Sequence, residues 1–323
     1  MAIIYFDQWV WINLLKGHKG IKGYEDLNEI YEKVLETSNS GKHKFPLSAC
    51  HIIETLKRGD DKSREELFEF MFTSSKFFSI RPHTTMNDLE IISAISKELN
   101  IPTSDLRMFV FSTGLGHCFN SKEIFKDKIT GKPVSNEERE DLLKKIYQPK
   151  LMSGLFSSTH LKEHADKMKK EDEKLRIRLE KLRKSEYCSP DKRRKKDIAD
   201  ARFIITELKE PLVRGIINHP HRGIDTEEFI SKILSSIAKF ESFFKNIPCM
   251  YTFHTLNYIR NTNTSRSIKS NDTYDLSALS IAVPYCDIVV TEKEWASTLN
   301  KKKFGEIYDT KIISRIQDLN SII

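Results

Sequence analysis

Five acidic residues are candidates for chemistry because each ends a strand-like apolar run or lies near the start of a helical segment beside one. They are Asp7, Glu54, Asp272, Asp275 and Glu292. In a parallel sheet the carboxyl ends of the strands share one edge, which would gather these side chains. Clustered carboxylates repel one another unless a cation neutralises them, and their oxygens are ligands that suit Mg²⁺ or Mn²⁺. Such a site favours metal-assisted attack of water on a phosphodiester.

Each of these carboxylates also has a structural explanation when it is taken alone. Asp7 can cap the helix that follows it, since its oxygens can accept the free N–H groups of the first turn. A Glu at the position of Glu54 is most often simply solvated. Asp272 and Asp275 favour the dipole of the helix that they open. The common location of all five is therefore what points to a site.

The elements that would position these acids alternate between strand-like and helix-like patterns. Strands are predicted at the apolar runs 2–6, 45–49 and 77–80, and again near the end of the chain at 287–291 and 309–313. Helical periodicity follows or separates these runs. This alternation predicts an α/β fold with a central parallel sheet flanked by helices.

The middle of the chain has a helical pattern throughout. The economical interpretation is one α/β domain built from residues 1–103 and 247–323, interrupted by a large all-helical insertion at residues 104–246. Within the insertion, residues 161–183 have only a thin apolar seam among many charges. That pattern is typical of a solvated helical arm or of one that faces a protein partner.

Composition favours an ordinary globular protein. The 323 residues are 39% hydrophobic and include 12 Gly and 10 Pro, which excludes collagen-like and low-complexity classes. No apolar run approaches the roughly 18–20 residues of a membrane span, and the run 2–6 lacks the features of a signal peptide. The five Cys are scattered singly, which argues against a disulfide framework or a structural zinc site. We therefore expect a cytoplasmic protein without a membrane partner.

The net charge of +7 is concentrated in one segment. Residues 181–196 hold eight Lys or Arg against two acids, a local balance of +6. Contacts of this kind with a phosphate backbone would release counterions and make binding salt-dependent. A solvated turn between two helices is the alternative interpretation. The candidate nucleic-acid-binding residues are Lys184, Lys192, Arg193, Arg194, Lys195 and Lys196.

Three segments resemble the motifs of the PIN-domain nucleases, in the order in which that family has them. Residues 3–12 resemble the opening motif, an apolar strand that ends in Asp before a short helix. Residues 48–54 resemble the second motif, in which a Ser at a strand end precedes a helix that carries Glu. Residues 275–282 and 285–292 resemble the third, a helix with a leading Asp followed by a strand that ends in Thr and an acid. The resemblance covers the two ends of the chain and leaves out its helical middle.

The resemblance implies a three-layer PIN-like fold and a metal-dependent endonuclease. It assigns Asp7, Glu54 and Asp275 as carboxylates that hold Mg²⁺ or Mn²⁺, with Glu292 in the fourth position. Asp272 competes with Asp275 for the third role. The fourth acid departs from the family pattern, in which Asp is more usual.

Three further residues would support the site that the resemblance implies. Thr291 would orient a water molecule or a phosphate oxygen, and Ser48 stands at the strand end of the second motif. His51 is either a partner that orients the site or a packed core histidine.

RNA is the commoner substrate of the family that these motifs resemble, and roles in toxin–antitoxin systems, antiviral defence or RNA maturation are all compatible with it. The alternative function is a catalytically degenerate subunit that binds nucleic acid or acts as a scaffold with a protein partner. In that case the helical insertion would be an interaction arm.

Overall fold

The computed structural model describes residues 1–121, 130, 132–157, 159–186, 192–263 and 265–323. The described strands are β1 (Ala2–Phe6), β2 (His43–Lys44), β3 (Phe78–Ile80), β4 (Phe111–Thr113), β5 (Ile288–Val290) and β6 (Lys311–Ile313). The described α-helices are α1 (Gln8–His18), α2 (Asn28–Asn39), α3 (Ala49–Leu56), α4 (Asp61–Ser75), α5 (Asn87–Glu98), α6 (Arg107–Val110), α7 (Leu115–Cys118), α8 (Asn136–Ile146), α9 (Pro149–Phe156), α10 (Thr159–Glu186), α11 (Lys192–Phe203), α12 (Lys209–Ile217), α13 (Thr226–Ile233), α14 (Ile237–Lys245), α15 (Pro248–Thr262), α16 (Asp272–Tyr285), α17 (Lys293–Lys301) and α18 (Phe304–Tyr308).

The central sheet has the strand order β2-β1-β5-β6, and each of its pairings is parallel. Ile4 lies opposite Ile288, and Phe6 lies opposite Val290. The carboxyl ends of β1 and β5 therefore meet at one edge, although these strands stand at opposite ends of the chain. The predicted α/β class with a parallel sheet among helices is confirmed.

Two predicted strands differ from the structure. In place of a strand at 45–49, the structure has β2 earlier in the chain and only an isolated parallel bridge from Leu47 to Ser79. Pro46 has no N–H to donate to a sheet ladder, which disfavours a continuous strand there. The run 77–80 does form a strand, β3, but it pairs antiparallel with β4 in a separate two-stranded sheet.

The segment predicted to be helical throughout contains a strand. β4 lies within 104–246, where its pairing with β3 joins Phe78 to Thr113 and Ile80 to Phe111. The predicted all-helical character of the insertion is therefore wrong at this point. The strand is only three residues long, too short for its periodicity to be read from the sequence.

The chain divides into two compact units. The first, called here the sheet unit, consists of residues 1–82, 109–170 and 285–323. The second, the helical unit, consists of residues 83–108 and 171–284. The predicted boundaries at 103/104 and 246/247 do not coincide with this division.

Each unit has its own hydrophobic core. In the sheet unit Trp11 is fully buried, with its ring centroid 5.0 Å from that of Phe6 and 5.4 Å from that of Phe70. This packing fixes α1 against β1 and so fixes the turn between them. The core of the helical unit gathers apolar side chains of α5, α12, α13 and α14, including Ile95 and Phe243. No helix of the described chain is both long enough and apolar enough to cross a membrane.

Gly17 allows α1 to pack closely on the segment that follows it. An added Cβ would lie 2.7 Å from the carbonyl oxygen of Tyr24 and 2.8 Å from Leu27 Cβ, which is closer than real Cβ atoms approach. We expect Gly17→Ala to lower the free energy of unfolding by about 1–3 kcal/mol, because overpacking outweighs the gain of about 1 kcal/mol in helix propensity. Urea denaturation followed by circular dichroism measures the change.

Gly154 in α9 provides the matched control. An added Cβ there has no neighbour within 4 Å, so Gly154→Ala should raise the free energy of unfolding by as much as about 1 kcal/mol. If both substitutions stabilise the protein, the close packing of α1 at Gly17 is contradicted.

Candidate functional site

Asp7 lies between the carboxyl ends of the two central strands. Its backbone N–H donates to the carbonyl oxygen of Val290 at 2.9 Å, which continues the β1–β5 ladder by one residue. Asp7 Oδ1 accepts from the N–H of Gln8 at 2.7 Å and caps α1. Asp7 Oδ2 accepts from the hydroxyl of Thr291 at 2.9 Å. The carboxylate is therefore both the predicted helix cap and a bridge to the end of β5.

The environment of Asp7 disfavours its negative charge. The side chain is only 8% exposed, and burial raises the pKa of its carboxyl from 3.8 to about 6. Hydrogen bonds from Thr291 and from the backbone of Gln8 lower the pKa, whereas the nearby carboxylate of Glu292 raises it. Within the described chain no Lys, Arg or His forms an ion pair with Asp7. A cation or a proton would relieve this unfavourable charge.

Glu292 joins Asp7 at this edge. Its backbone N–H donates to the carboxylate of Asp7, and its exposed side chain raises the pKa of Asp7 by repulsion. Glu292 is also the N-cap residue of α17, but its side chain makes no capping hydrogen bond. The structure therefore brings two of the predicted carboxylates together, one buried and one open to solvent.

Ser48 and His51 join α3 to the end of β1. His51 Nδ1 accepts from the N–H of Ser48 at 3.1 Å, and the Ser48 hydroxyl accepts from the N–H of His51, which completes a capping box. His51 Nε2 lies 2.7 Å from the carbonyl oxygen of Phe6, the residue before Asp7. The backbone N–H at Nδ1 fixes the tautomer, so Nε2–H donates to Phe6. His51 is thus a packed histidine that also positions the strand end.

Burial keeps His51 neutral. The side chain is only 1% exposed, and burial lowers its pKa from 6.5 to about 4, while the hydrogen bond to Phe6 acts in the opposite direction. Its ring stacks on Tyr5 with centroids 5.1 Å apart. A neutral imidazole can hold the carbonyl of Phe6 without adding charge beside the acids.

Glu54 lies one turn beyond His51 on α3 and is half-buried. The charges of Asp7 and Glu54 both raise the pKa of the buried Tyr5 hydroxyl, although burial itself is the larger cause. Tyr5 also lies within 3.3 Å of the Ser48 hydroxyl. The pKa of the Tyr5 hydroxyl is therefore raised by an acid of the first motif and by an acid of the second motif.

Sequence reasoning missed Gln8. Its amide Nε2 donates to the hydroxyl of Thr55 at 2.8 Å, which ties α1 to α3. Its Oε1 is buried and accepts no hydrogen bond from the residues that the structure describes. A polar amide between Asp7 and the apolar run at Trp9 was the signal that could have identified it. This amide oxygen is a neutral atom that could coordinate a cation, and it belongs to the residue next to Asp7 in the sequence.

The remaining two acids belong to the helical unit. Asp272 is fully buried, and its two oxygens accept from Arg266 at 2.7 Å and 3.1 Å. The backbone N–H of Lys269 adds a third hydrogen bond at 3.0 Å. Asp272 thus stands in a paired structural position at the start of α16. Asp275 lies one turn later and is half-buried.

The predicted metal ligands are divided between the two units of the chain. Among the described residues, no group of three or more His, Cys, Asp or Glu side chains is arranged to hold a metal ion. Asp7, Glu54 and Glu292 lie in the sheet unit, and Asp272 and Asp275 lie in the helical unit.

The basic segment is only partly described. Lys184 is exposed on α10. Lys196 Nζ binds Asp200 at 2.9 Å and Glu241 at 3.0 Å, so this cation already has two protein partners. The side chains of the other predicted contacts lie outside the described residues: Lys192, Arg193, Arg194 and Lys195.

Comparison of the chain with protein-family models, with curated proteins and with solved structures found no match. What the site can do chemically therefore follows from its own groups. These are a buried carboxylate with a raised pKa, an exposed carboxylate beside it and a hydroxyl that holds the first in place.

His51 should make the stability of the protein fall in mild acid. Because its pKa is depressed in the folded state, the unfolded chain binds the proton first, so stability is full above pH 6.5 and declines as the pH falls towards 4. Between pH 7 and pH 5 this residue should contribute a loss of about 2 kcal/mol in the free energy of unfolding. Urea titrations at the two pH values measure it.

His51→Gln is the matched variant for this measurement. Gln is a usual third residue of a capping box but does not titrate, so the cap can persist without the proton. The variant should show a fall that is smaller by about 2 kcal/mol. An unchanged dependence on pH would contradict a buried neutral His51.

Proposed function

We propose that the protein is a metal-dependent endonuclease that hydrolyses phosphodiester bonds in the cytoplasm, with RNA a more suitable substrate than DNA, on a PIN-like three-layer fold. The observation that carries the proposal is the state of Asp7. It is a buried carboxylate at the carboxyl edge of a parallel sheet, its pKa is raised to about 6, and Glu292 lies beside it. Burying a carboxylate without a cationic partner lowers the stability of the folded protein, so such a group often belongs to a ligand-binding site.

The oxygen atoms at this edge are of the kind that coordinate a hard divalent cation. They are carboxylate oxygens together with the buried amide oxygen of Gln8, which has no partner in the described chain. Asp7, Glu54 and Glu292, all in the sheet unit, would hold Mg²⁺ or Mn²⁺. In the helical unit, the oxygens of Asp272 are already occupied by Arg266. The metal would supply a water of lowered pKa and neutralise charge on the scissile phosphate.

The protein's own groups prepare this edge for a phosphate. The hydroxyl of Thr291 and the backbone N–H groups of Gln8 and Glu292 donate to the carboxylate of Asp7, which fixes its plane and leaves about one lone pair for a further ligand. Glu292 presents its carboxylate to solvent, from where a nucleic-acid backbone would approach. Neutral His51 holds the strand end in place.

Asp7→Asn should reduce nuclease activity to background in Mg²⁺ or Mn²⁺. Asn is as good a helix cap as Asp, so α1 should still form, while the charge that would bind the cation is lost. Thr291→Val should retain some activity, with a loss of about 10- to 100-fold, because removal of an orienting hydrogen bond weakens a metal ligand without deleting it. Cleavage of labelled RNA and DNA with purified protein measures both.

Glu294→Gln is the control for these variants. Glu294 is exposed, lies two residues beyond Glu292 and is outside the proposed ligand set. It should cleave at the wild-type rate. Full activity in Asp7→Asn would overturn the proposed role of this edge.

The second candidate function is a nucleic-acid-binding or scaffold subunit without catalysis. It is favoured by the finding that the described residues contain no group of three or more potential metal ligands. In this case the basic segment would supply the interaction, with a protein partner bound through the helical arm.

Removal of three charges from the basic segment should reduce the salt dependence of RNA binding. For the triple variant Arg193→Ala, Arg194→Ala and Lys195→Ala, the slope of log K against log salt should decrease in magnitude by about 2, since each phosphate contact to a single strand contributes about 0.7. Fluorescence anisotropy at several salt concentrations gives the slope.

A second triple variant removes the same charge elsewhere. Lys301, Lys302 and Lys311 are exposed, and their replacement by Ala should leave the slope unchanged. Equal effects of the two triple variants would mean that the basic segment has no special role. Binding without cleavage under any metal would favour the second candidate over the first.

A further inference from the structure

Arg81 directly follows β3, at an edge of the sheet unit that it shares with Asp7. Leu47 joins β3 to the segment after β2: its N–H donates to the carbonyl oxygen of Phe78, and its own carbonyl oxygen accepts from the N–H of Ile80, each at 2.9 Å. This bridge is parallel, and β2 is parallel to β1. The carboxyl ends of β3 and β1 therefore point to the same edge.

Ser48 lies between Arg81 and Asp7 at this edge. It directly follows Leu47, and its hydroxyl lies 3.3 Å from the hydroxyl of Tyr5 on β1. Neighbouring strands are about 4.8 Å apart, so two strand spacings place the backbone of Arg81 about 10 Å from that of Asp7. A nucleic-acid strand carries one phosphate about every 3.4 Å of helix axis, so a single backbone can reach both positions.

The guanidinium of Arg81 has no partner within the described chain. Its Nε is buried and makes no hydrogen bond there. Its two Nη groups are neither bonded nor buried, so they are open to solvent. A guanidinium whose inner atom is buried and whose outer groups are open is held in place and presented to a ligand.

Arg64, in the same unit, is a structural arginine and shows the contrast. Its Nη1 donates to the carbonyl oxygen of Arg58 at 2.9 Å. Its Nη2 donates to Asp61 at 2.8 Å and to the carbonyl oxygen of Ser157 at 3.0 Å. Both outer groups of Arg64 are therefore occupied by the protein, whereas both outer groups of Arg81 are available to a ligand.

A phosphate group is the ligand that fits this guanidinium. Two parallel N–H groups can donate to two phosphate oxygens, and the charge of the guanidinium persists at every physiological pH. The carboxylates of Asp7 and Glu292 on the same edge would repel a polyanion, so a strand that approaches them needs a cationic contact close by.

We propose that Arg81 binds a backbone phosphate of the nucleic acid, next to the scissile one, and so positions the strand across the carboxyl edge of the sheet. The identity of the ligand rests on the proposed nuclease function. Arg81 is a substrate-binding residue in this arrangement and takes no part in the hydrolysis itself.

Binding of a labelled single-stranded RNA in EDTA, which prevents metal-dependent cleavage, tests this contact by itself. Arg81→Gln should weaken binding about tenfold and lower the magnitude of the slope of log K against log salt by about 0.7, the contribution of one phosphate contact to a single strand. Fluorescence anisotropy of the full chain at several salt concentrations gives both quantities. If both equal those of the wild type, or if the wild type binds no RNA, the inference is overturned.

Arg222→Gln removes the same charge elsewhere and is the matched control. Arg222 is exposed, lies in the helical unit and forms no ion pair within the described chain. Its substitution should leave RNA binding within about twofold of the wild type, as is usual for an exposed charge. Equal effects of the two substitutions would overturn the assignment of Arg81.

Arg81→Lys keeps the charge and removes the paired hydrogen bonds. It should weaken binding about threefold and leave the salt slope at the wild-type value, because an ammonium still neutralises one phosphate. Melting temperatures equal to that of the wild type, measured without nucleic acid, confirm that the variants are folded. A slope lowered as much as in Arg81→Gln would contradict a contact with phosphate.

Cleavage kinetics separate this inference from the proposed function. In Mg²⁺ or Mn²⁺, Arg81→Gln should raise KM about tenfold and keep kcat within about threefold, because a contact with a neighbouring phosphate is equally strong in the ground state and the transition state. A wild type that cleaves, with an unchanged KM in Arg81→Gln, would refute the inference and leave the nuclease in place. A wild type that does not cleave, with weaker RNA binding in Arg81→Gln, would refute the nuclease and support the contact.

Discussion

The structure of the sheet unit depends on how one buried carboxylate is held between two strand ends. Asp7 joins β1 to β5 through its backbone N–H and through the hydrogen bond from Thr291, a residue 284 positions away in the sequence. The same carboxylate caps α1. Burial makes its charge unfavourable, so these hydrogen bonds are required to keep it in place. A polar group that is both structurally constrained and electrostatically uncompensated is what a binding site for a cation requires.

Neutral groups do the positioning around this acid. His51 holds the carbonyl of Phe6 and caps α3 together with Ser48, and burial keeps its imidazole uncharged. Gln8 ties α1 to Thr55 on α3. A lysine or arginine in either role would neutralise the charge of Asp7, whereas these neutral groups leave it in place.

The basic side chains lie away from Asp7 and differ in the groups that surround them. Lys196 is paired with two acids, so not every cation of the basic segment is available to a polyanion. Lys76, Arg139 and Lys144 lie elsewhere, in the lining of a cavity of the sheet unit. The net charge of +7 sums over all of these cations and does not show where each of them lies.

The sequence by itself determined the α/β class, the strands β1, β5 and β6, and the place of Asp7 at a strand end, because local apolar runs and the polar residue that stops them report burial directly. Only the tertiary structure decided that β3 pairs with β4 outside the main sheet, that Arg266 occupies Asp272, and that a buried His51 stays neutral. Each of these depends on which groups meet after folding, and periodicity along the chain does not specify partners or dielectric environment. The cavity beside Tyr147 is the clearest case, since its walls come from segments that share no motif.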